Sequence, residues 1–251
     1  MTTRSLYRAG VQTFLEHATG ETVLAMAPLF FQEDFIGAGN SASIPASGAP
    51  VAGYPWVKKI VGAAPPTVGL IANASGGQVS LALTAASEKQ DATLYWNDNL
   101  ALDATKKSLI EARAALAIPP SAAGVQMVMG LAAAWIDGPD NNSFYVEFGC
   151  TASGALLIRS KDGITTNSIA ATLAGAAVVL DTAMHVFRID ISDPADVGFH
   201  SDGNRVNASG SIKFLATGVN AILQPYFSVY KPSGVGVATL NVDKVDAWAS
   251  R

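Results

Sequence analysis

The stretch His185–Val206, HVFRIDISDPADVGFHSDGNRV, constrains the fold more than any other part of the chain. Phe187, Ile189 and Ile191 alternate with Arg188 and Asp190, which is the period of a half-buried antiparallel strand. Ser192-Asp193-Pro194 ends that strand, because proline has no N–H to give to a ladder. Val197 and Phe199 restart an apolar face. Ser201-Asp202-Gly203-Asn204 then supplies a turn, since Gly and Asn accept positive φ. The spacing predicts Phe187 and Ile189 in a core, with Arg188 and Asp190 on the opposite sheet face.

The same pattern recurs along the chain. Gln78–Ala85 puts Val79, Leu81 and Leu83 on one face. Thr93–Trp96 is a strand ended by Asn97-Asp98-Asn99. Leu109–Leu116 puts Ile110, Ala112, Ala114 and Leu116 on one face, with Glu111 and Arg113 on the other. Val125–Ile136 is apolar on both faces, which suits a central strand. Ser143–Cys150 and Ala155–Ser160 read as a pair, and Asp162-Gly163 starts the next turn. Ile222–Lys231 contains Pro225 and reads as an edge or bulged strand. In Ala238–Ala249 the apolar face switches after Val242, so either both faces are covered or a bulge sits near Asp243-Lys244. Residues 37–55 form a long loop rich in Gly, Ser, Ala and Pro, with Tyr54 and Trp56 as aromatic anchors at its far end. Ten or more short strands without a fixed repeat predict an all-β fold, an antiparallel β-sandwich over residues 29–251.

Residues 1–28 read as an N-terminal arm. Tyr7, Val11, Phe14, Leu15 and Ala18 have helical spacing, but a hairpin between Val11–Leu15 and Val23–Ala27 fits equally. Leu6, Tyr7, Phe14 and Leu15 are apolar residues in need of cover, and they are the candidate partner-binding residues.

Composition narrows the function classes. Charged residues are 14 % of the chain and the net charge is −4, with no basic run longer than two residues. A nucleic-acid footprint needs clustered positive charge, so nucleic acid is not an expected partner. So low a charge suggests that part of the surface is covered by a partner. The single Cys150 forms no internal disulfide. The apolar runs are too short to span a bilayer, which predicts a soluble protein with no membrane partner. There is no nucleophile elbow and no phosphate loop, and one Cys with three His cannot make a zinc quartet. None of the six Glu has an acidic partner at i+2 or i+4 within a strand, as a glycosidase pair on one strand face would require. No enzyme activity, catalytic residue, metal or cofactor is expected. Asp137-Gly138-Pro139-Asp140-Asn141-Asn142 could hold calcium through crowded oxygens, but these are also the turn-forming residues, and the turn is the favoured reading.

The order of motifs carries a resemblance. Glu33-Asp34-Phe35 is followed by Pro55-Trp56-x-Lys58-Lys59, Leu94-Tyr95-Trp96-x-Asp98, Leu109-Ile110-Glu111-Ala112-Arg113 and Phe187-Arg188-Ile189-Asp190-Ile191. Leu223-Gln224-Pro225-Tyr226-Phe227, Lys231-Pro232-Ser233-Gly234 and Thr239–Val245 come last. Over residues 30–251 this resembles tailed-bacteriophage virion proteins with a concanavalin A-like (laminin-G-like) jelly roll, particularly capsid decoration proteins. The resemblance implies a non-enzymatic structural protein on the outer face of the head, located at the capsid surface of the virion after assembly in the host cytoplasm. It implies the major capsid protein, other virion subunits or further copies of itself as partners. It carries over no site residue. The alternative it leaves open is a carbohydrate-binding or host-adhesion module of the virion, with a glycan as partner.

Overall fold

The structure is a computed structural model and describes residues 3–8, 11–16, 22–26, 29–36, 44–150, 152, 154–207 and 212–250. The alternating segments become strands. The first three are β1 (Thr3–Arg8), β2 (Val11–Glu16) and β3 (Thr22–Met26), which form a separate antiparallel sheet in that order. The hairpin alternative for the arm is therefore the one adopted. Then come β4 (Leu29–Glu33), β5 (Val57–Val61), β6 (Thr67–Leu70), β7 (Val79–Ala82), β8 (Gln90–Tyr95) and β9 (Leu102–Asp103). The middle of the chain supplies β10 (Ser108–Ile118), β11 (Gln126–Ala132), β12 (Phe144–Cys150), β13 (Leu156–Asp162) and β14 (Thr166–Ala170). A small hairpin, β15 (Thr172–Leu173) and β16 (Ala176–Ala177), precedes β17 (His185–Ile191), β18 (Gly198–Ser201) and β19 (Asn204–Arg205). The last strands are β20 (Ile222–Lys231) and β21 (Thr239–Ala249).

Two sheets enclose the core. The front sheet runs β14-β13-β12-β11-β20-β8-β5, with β9 also on β20. The back sheet runs β19-β18-β17-β10-β21-β7-β6, with β4 also on β21. Their facing side chains follow the period of two. Met127, Met129, Leu131, Phe148, Ile158 and Phe227 come from the front, and Leu81, Ile110, Phe187, Ile189, Val242 and Val245 from the back. Phe148 packs edge-on against Phe187 and Phe199, with ring centroids 5.4 and 5.1 Å away. At the other end Trp56 packs with Trp96 and Phe227, centroids 5.9 and 6.0 Å away, and Trp56 is fully buried as an anchor of the preceding loop.

The organising stretch folds as its pattern dictates. Phe187, Ile189 and Ile191 are buried in the core, and Asp202 and Gly203 take positive φ in the turn between β18 and β19. The opposite face is less solvated than the pattern suggests. Arg188 is buried there and lies 3.5 Å from the carboxylate of Glu111, its cross-strand neighbour, with Asp246 next in the row. In β21 the register against β10 shifts beside Asp243, so the bulge reading holds and Val245 and Ala247 return to the core side.

β20 differs from its expected place. It is not an edge strand: it pairs with β11 along one side and with β8 and β9 along the other. Proline is tolerated because the pairing with β8 begins at Tyr226 and that with β9 ends at Leu223. Gln224 fills the gap with its side chain. Its Oε1 accepts from the N–H groups of Trp96 and Asp98, both at 3.1 Å, and its Nε2 donates to Asp98 Oδ1 and the Ala133 carbonyl, both at 3.0 Å.

Candidate functional site

The front sheet has a second side, facing away from the core, and here the chain places its least expected residues. β12 aims Tyr145 and Glu147 outward, β13 aims Arg159 and Lys161, and β8 aims Asp91 and Thr93. Val57, Tyr95, Val128, Ala132, Tyr145 and Tyr226 form a small apolar cluster on this side. The loop from Ala133 to Ser143 lies over it. Trp135 packs on the cluster, its backbone N–H donates to Asp98 Oδ1 at 2.7 Å, and Lys59 Nζ sits 4.7 Å from its ring centroid. Asp137 binds Lys89 at 2.5 Å. The six residues Asp137–Asn142 are a turn, with Pro139–Asn141 forming one turn of 3-10 helix. Among the described residues no three His, Cys, Asp or Glu are placed to hold a metal.

Beside this covered region, over β11, β12, β13 and β14, lies a cleft with a volume of about 450 Å³. Gln126, Tyr145, Leu157, Arg159, Lys161 and Thr166 line it, and Asp140 stands at its rim. Arg159 is the centre. Its guanidinium carbon is 5.3 Å from the Tyr145 ring centroid, a cation–π contact. The side chain crosses Gly149, where an added Cβ would lie 2.9 Å from Arg159 Cδ, so a bare position on β12 is needed for it to lie flat. Beneath it Glu147 Oε1 is 3.5 Å from Nε, and above it Asp140 Oδ1 pairs with Nη2.

Burial decides the charges here. Glu147 is 1 % exposed, and desolvation raises its pKa from 4.5 to about 7 against the pull of Arg159, whose charge is divided between Glu147 and Asp140. Asp91 is fully buried as well and is raised to about 6 by desolvation, although Thr93 Oγ1 at 2.6 Å and Ser228 Oγ at 3.1 Å donate to it. These two carboxylates share the outer side but stand three strands apart, roughly 14 Å at the usual strand spacing. Glycosidase pairs work at about 5–9.5 Å. The nearer pair, Glu147 and Asp140, has Arg159 between its members, and Glu147 is sealed from the cleft.

Of the residues read from sequence as partner-binding, Leu15 is fully buried and Phe14 half-buried on β2, while Leu6 and Tyr7 lie on β1 with side chains outside the described residues. Sequence reading did not find the Arg159 cleft. The available signal was polar alternation inside apolar strands, Tyr145-x-Glu147 and Leu157-x-Arg159-x-Lys161.

The two antiparallel sheets and their strand order are those of a concanavalin A-like jelly roll. No protein-family model matches the chain, and no curated protein matches it in sequence. Solved structures do. The Emp47p carbohydrate recognition domain superposes with a TM-score of 0.53 at 10 % identity, covering 84 % of this chain and 96 % of that one. A prokaryotic β-1,3-1,4-glucanase (lichenase) derived from a mouse hindgut metagenome gives 0.53 at 13 % identity, covering 88 % and 99 %. Botulinum neurotoxin type C, whose cell entry depends on interaction with two ganglioside molecules, gives 0.52 at 10 % identity, covering 84 % of this chain and 47 % of the toxin chain. At these identities the match establishes the fold.

Proposed function

We propose that this protein is a carbohydrate-binding module whose glycan sits in the Arg159 cleft. The observation that carries the reading is the cleft lining: amide, hydroxyl, ammonium and guanidinium groups from four neighbouring strands point into one concave space of about 450 Å³. Sugar hydroxyls need such donors and acceptors in fixed positions, and a few convergent polar groups in a concave site are what orients a small ligand. Carbohydrate recognition by proteins of the same fold supports it. The test is a glycan array followed by titration calorimetry, with Gln126→Ala as the cleft variant. Binding that Gln126→Ala weakens at least ~5-fold is the expected result, the weight of one or two hydrogen bonds. Absence of binding to every glycan overturns the reading.

A second reading places the same module on a virion as a capsid decoration or host-adhesion protein. Its support is the motif resemblance, together with apolar side chains left open at one edge of the front sheet. Ile164 is 96 % and Val179 62 % exposed, and Ile169 on β14 and Leu173 on β15 are exposed as well. Exposed large apolar side chains are surface that a protein partner could cover. Binding of purified protein to undecorated heads at fixed stoichiometry tests it.

A further inference from the structure

We infer that the Arg159 cleft selects acidic sugars, and that Asp140 holds the place of the ligand's carboxylate in the free protein. The inference rests on the glycan-binding reading and narrows it to a substrate class. Three donors on two strands converge on this one residue. Gln126 Nε2 from β11 reaches Asp140 Oδ2 at 2.5 Å, the Arg159 guanidinium from β13 pairs with Oδ1, and Lys161 Nζ lies 3.3 Å from the Asp140 carbonyl oxygen. A guanidinium and an amide donating to the two oxygens of one carboxylate form a receptor for that group's planar geometry.

The charged donor at the centre is buried and its acceptor is exposed. Arg159 is nine-tenths buried, held against Tyr145 and across Gly149 with Glu147 beneath it. Asp140 projects from a single 3-10 turn at the rim, with 53 % of its side chain exposed. A hexuronate or sialic acid entering the cleft replaces one carboxylate by another, so the charge on Arg159 stays compensated throughout. A neutral sugar has no such group. It must either bind around Asp140 or leave the buried guanidinium with Glu147 alone, which is costly. Sites built around a buried polar group discriminate strongly against ligands that cannot pair with it. Thr166 and Ser168 on β14 line the same cleft and are placed for the ring hydroxyls.

The experiment is titration calorimetry of the full chain with two matched pairs: a glucuronate-terminated oligosaccharide against its glucose-terminated counterpart, and sialyllactose against lactose. Wild type, Asp140→Ala, Asp140→Asn and Lys161→Ala are compared, with melting curves to confirm folding. One acidic ligand is expected to bind at least ~10-fold more tightly than its neutral match, the weight of one charge-assisted hydrogen bond. Both Asp140 variants should raise the ratio of acidic to neutral affinity several-fold, and Lys161→Ala should lower it. Which pair responds identifies the acid. Equal binding of acidic and neutral ligands, or Asp140 variants that leave the ratio unchanged, overturns the inference while glycan binding stands. No binding by any ligand, here or on the array, overturns both.

Discussion

Removing the Gln224 side chain should be among the most damaging single changes outside the core. The residue is fully buried and makes four hydrogen bonds that stand in for ladder bonds lost at Pro225. In Gln224→Ala the Trp96 N–H and the Ala133 carbonyl lose their partner inside the protein. The buried Trp96 N–H left unsatisfied costs about 1–3 kcal/mol, and the half-buried Ala133 carbonyl and the N–H of exposed Asp98 recover part of their loss from water. The sum is about 3 kcal/mol. Gln224→Met keeps the volume but not the hydrogen bonds, so it separates packing from polar satisfaction and should cost nearly as much. Urea unfolding followed by tryptophan fluorescence measures both, with m unchanged. Ala133 and Asp98 also hold the loop carrying Trp135, so glycan affinity should fall in both variants. A loss below about 1 kcal/mol in Gln224→Met would refute the idea that this amide replaces the ladder.

Phe187→Ala should cost about 3–5 kcal/mol as a buried aromatic truncation; a loss well under 1 kcal/mol would mean the β17 register is wrong. Gly130→Ala places a Cβ 2.4 Å from the Val146 carbonyl and 2.7 Å from Glu147 Cα, so β11 and β12 must part, at about 3 kcal/mol; an unchanged melting temperature argues against that contact. Glu147 has its pKa raised in the fold, so the native state holds its proton more tightly than the unfolded chain. Its contribution is complete below about 4.5 and is lost as pH rises through about 7, a dependence that Glu147→Gln should remove from the pH–stability curve. For His185, burial lowers the pKa but Asp202 at 2.7 Å and Asp181 at 3.0 Å raise it by more, giving a net increase. That contribution is present below its ordinary pKa of 6.5 and fades as pH rises through the folded value, and His185→Gln should flatten the curve there.

Much of the sandwich was legible because one physical rule, the period of two, governs most of it. β7, β10, β12, β13 and β17 were readable as strands with their buried faces, and the bulge near Asp243 was one of two readings offered. The failures share a cause. β8 begins at Gln90 and Asp91, which look like a polar connection until Thr84, six residues back, binds Gln90 and the distant Ser228 binds Asp91. Pro225 argued for an edge because the Gln224 side chain that replaces the lost ladder bonds acts on residues more than 90 positions away in sequence. The cleft was hidden for the same reason: Gln126, Asp140 and Arg159 meet only once three segments are assembled. The alternation Leu157-x-Arg159-x-Lys161 marks outward polar positions, but the partner of Arg159 sits in the turn Pro139–Asn141 and does not show in it.

β20 and β21 occupy the middle of the two sheets yet are the last strands of the sandwich to be synthesised. β21 supplies the edge on which β4, β7 and β10 all lie, and β20 does the same for β8, β9 and β11. Until Ile222–Ala249 has left the ribosome, each sheet is two halves with bare inner edges and an exposed apolar side. Such half-sheets are sticky, and closing them requires contacts of very long sequence separation, which form slowly. The half-formed sandwich should therefore be aggregation-prone until Ile222–Ala249 joins it, and its yield in a cell should depend on chaperone supply and on slow, cool expression more than on the final stability of the sandwich.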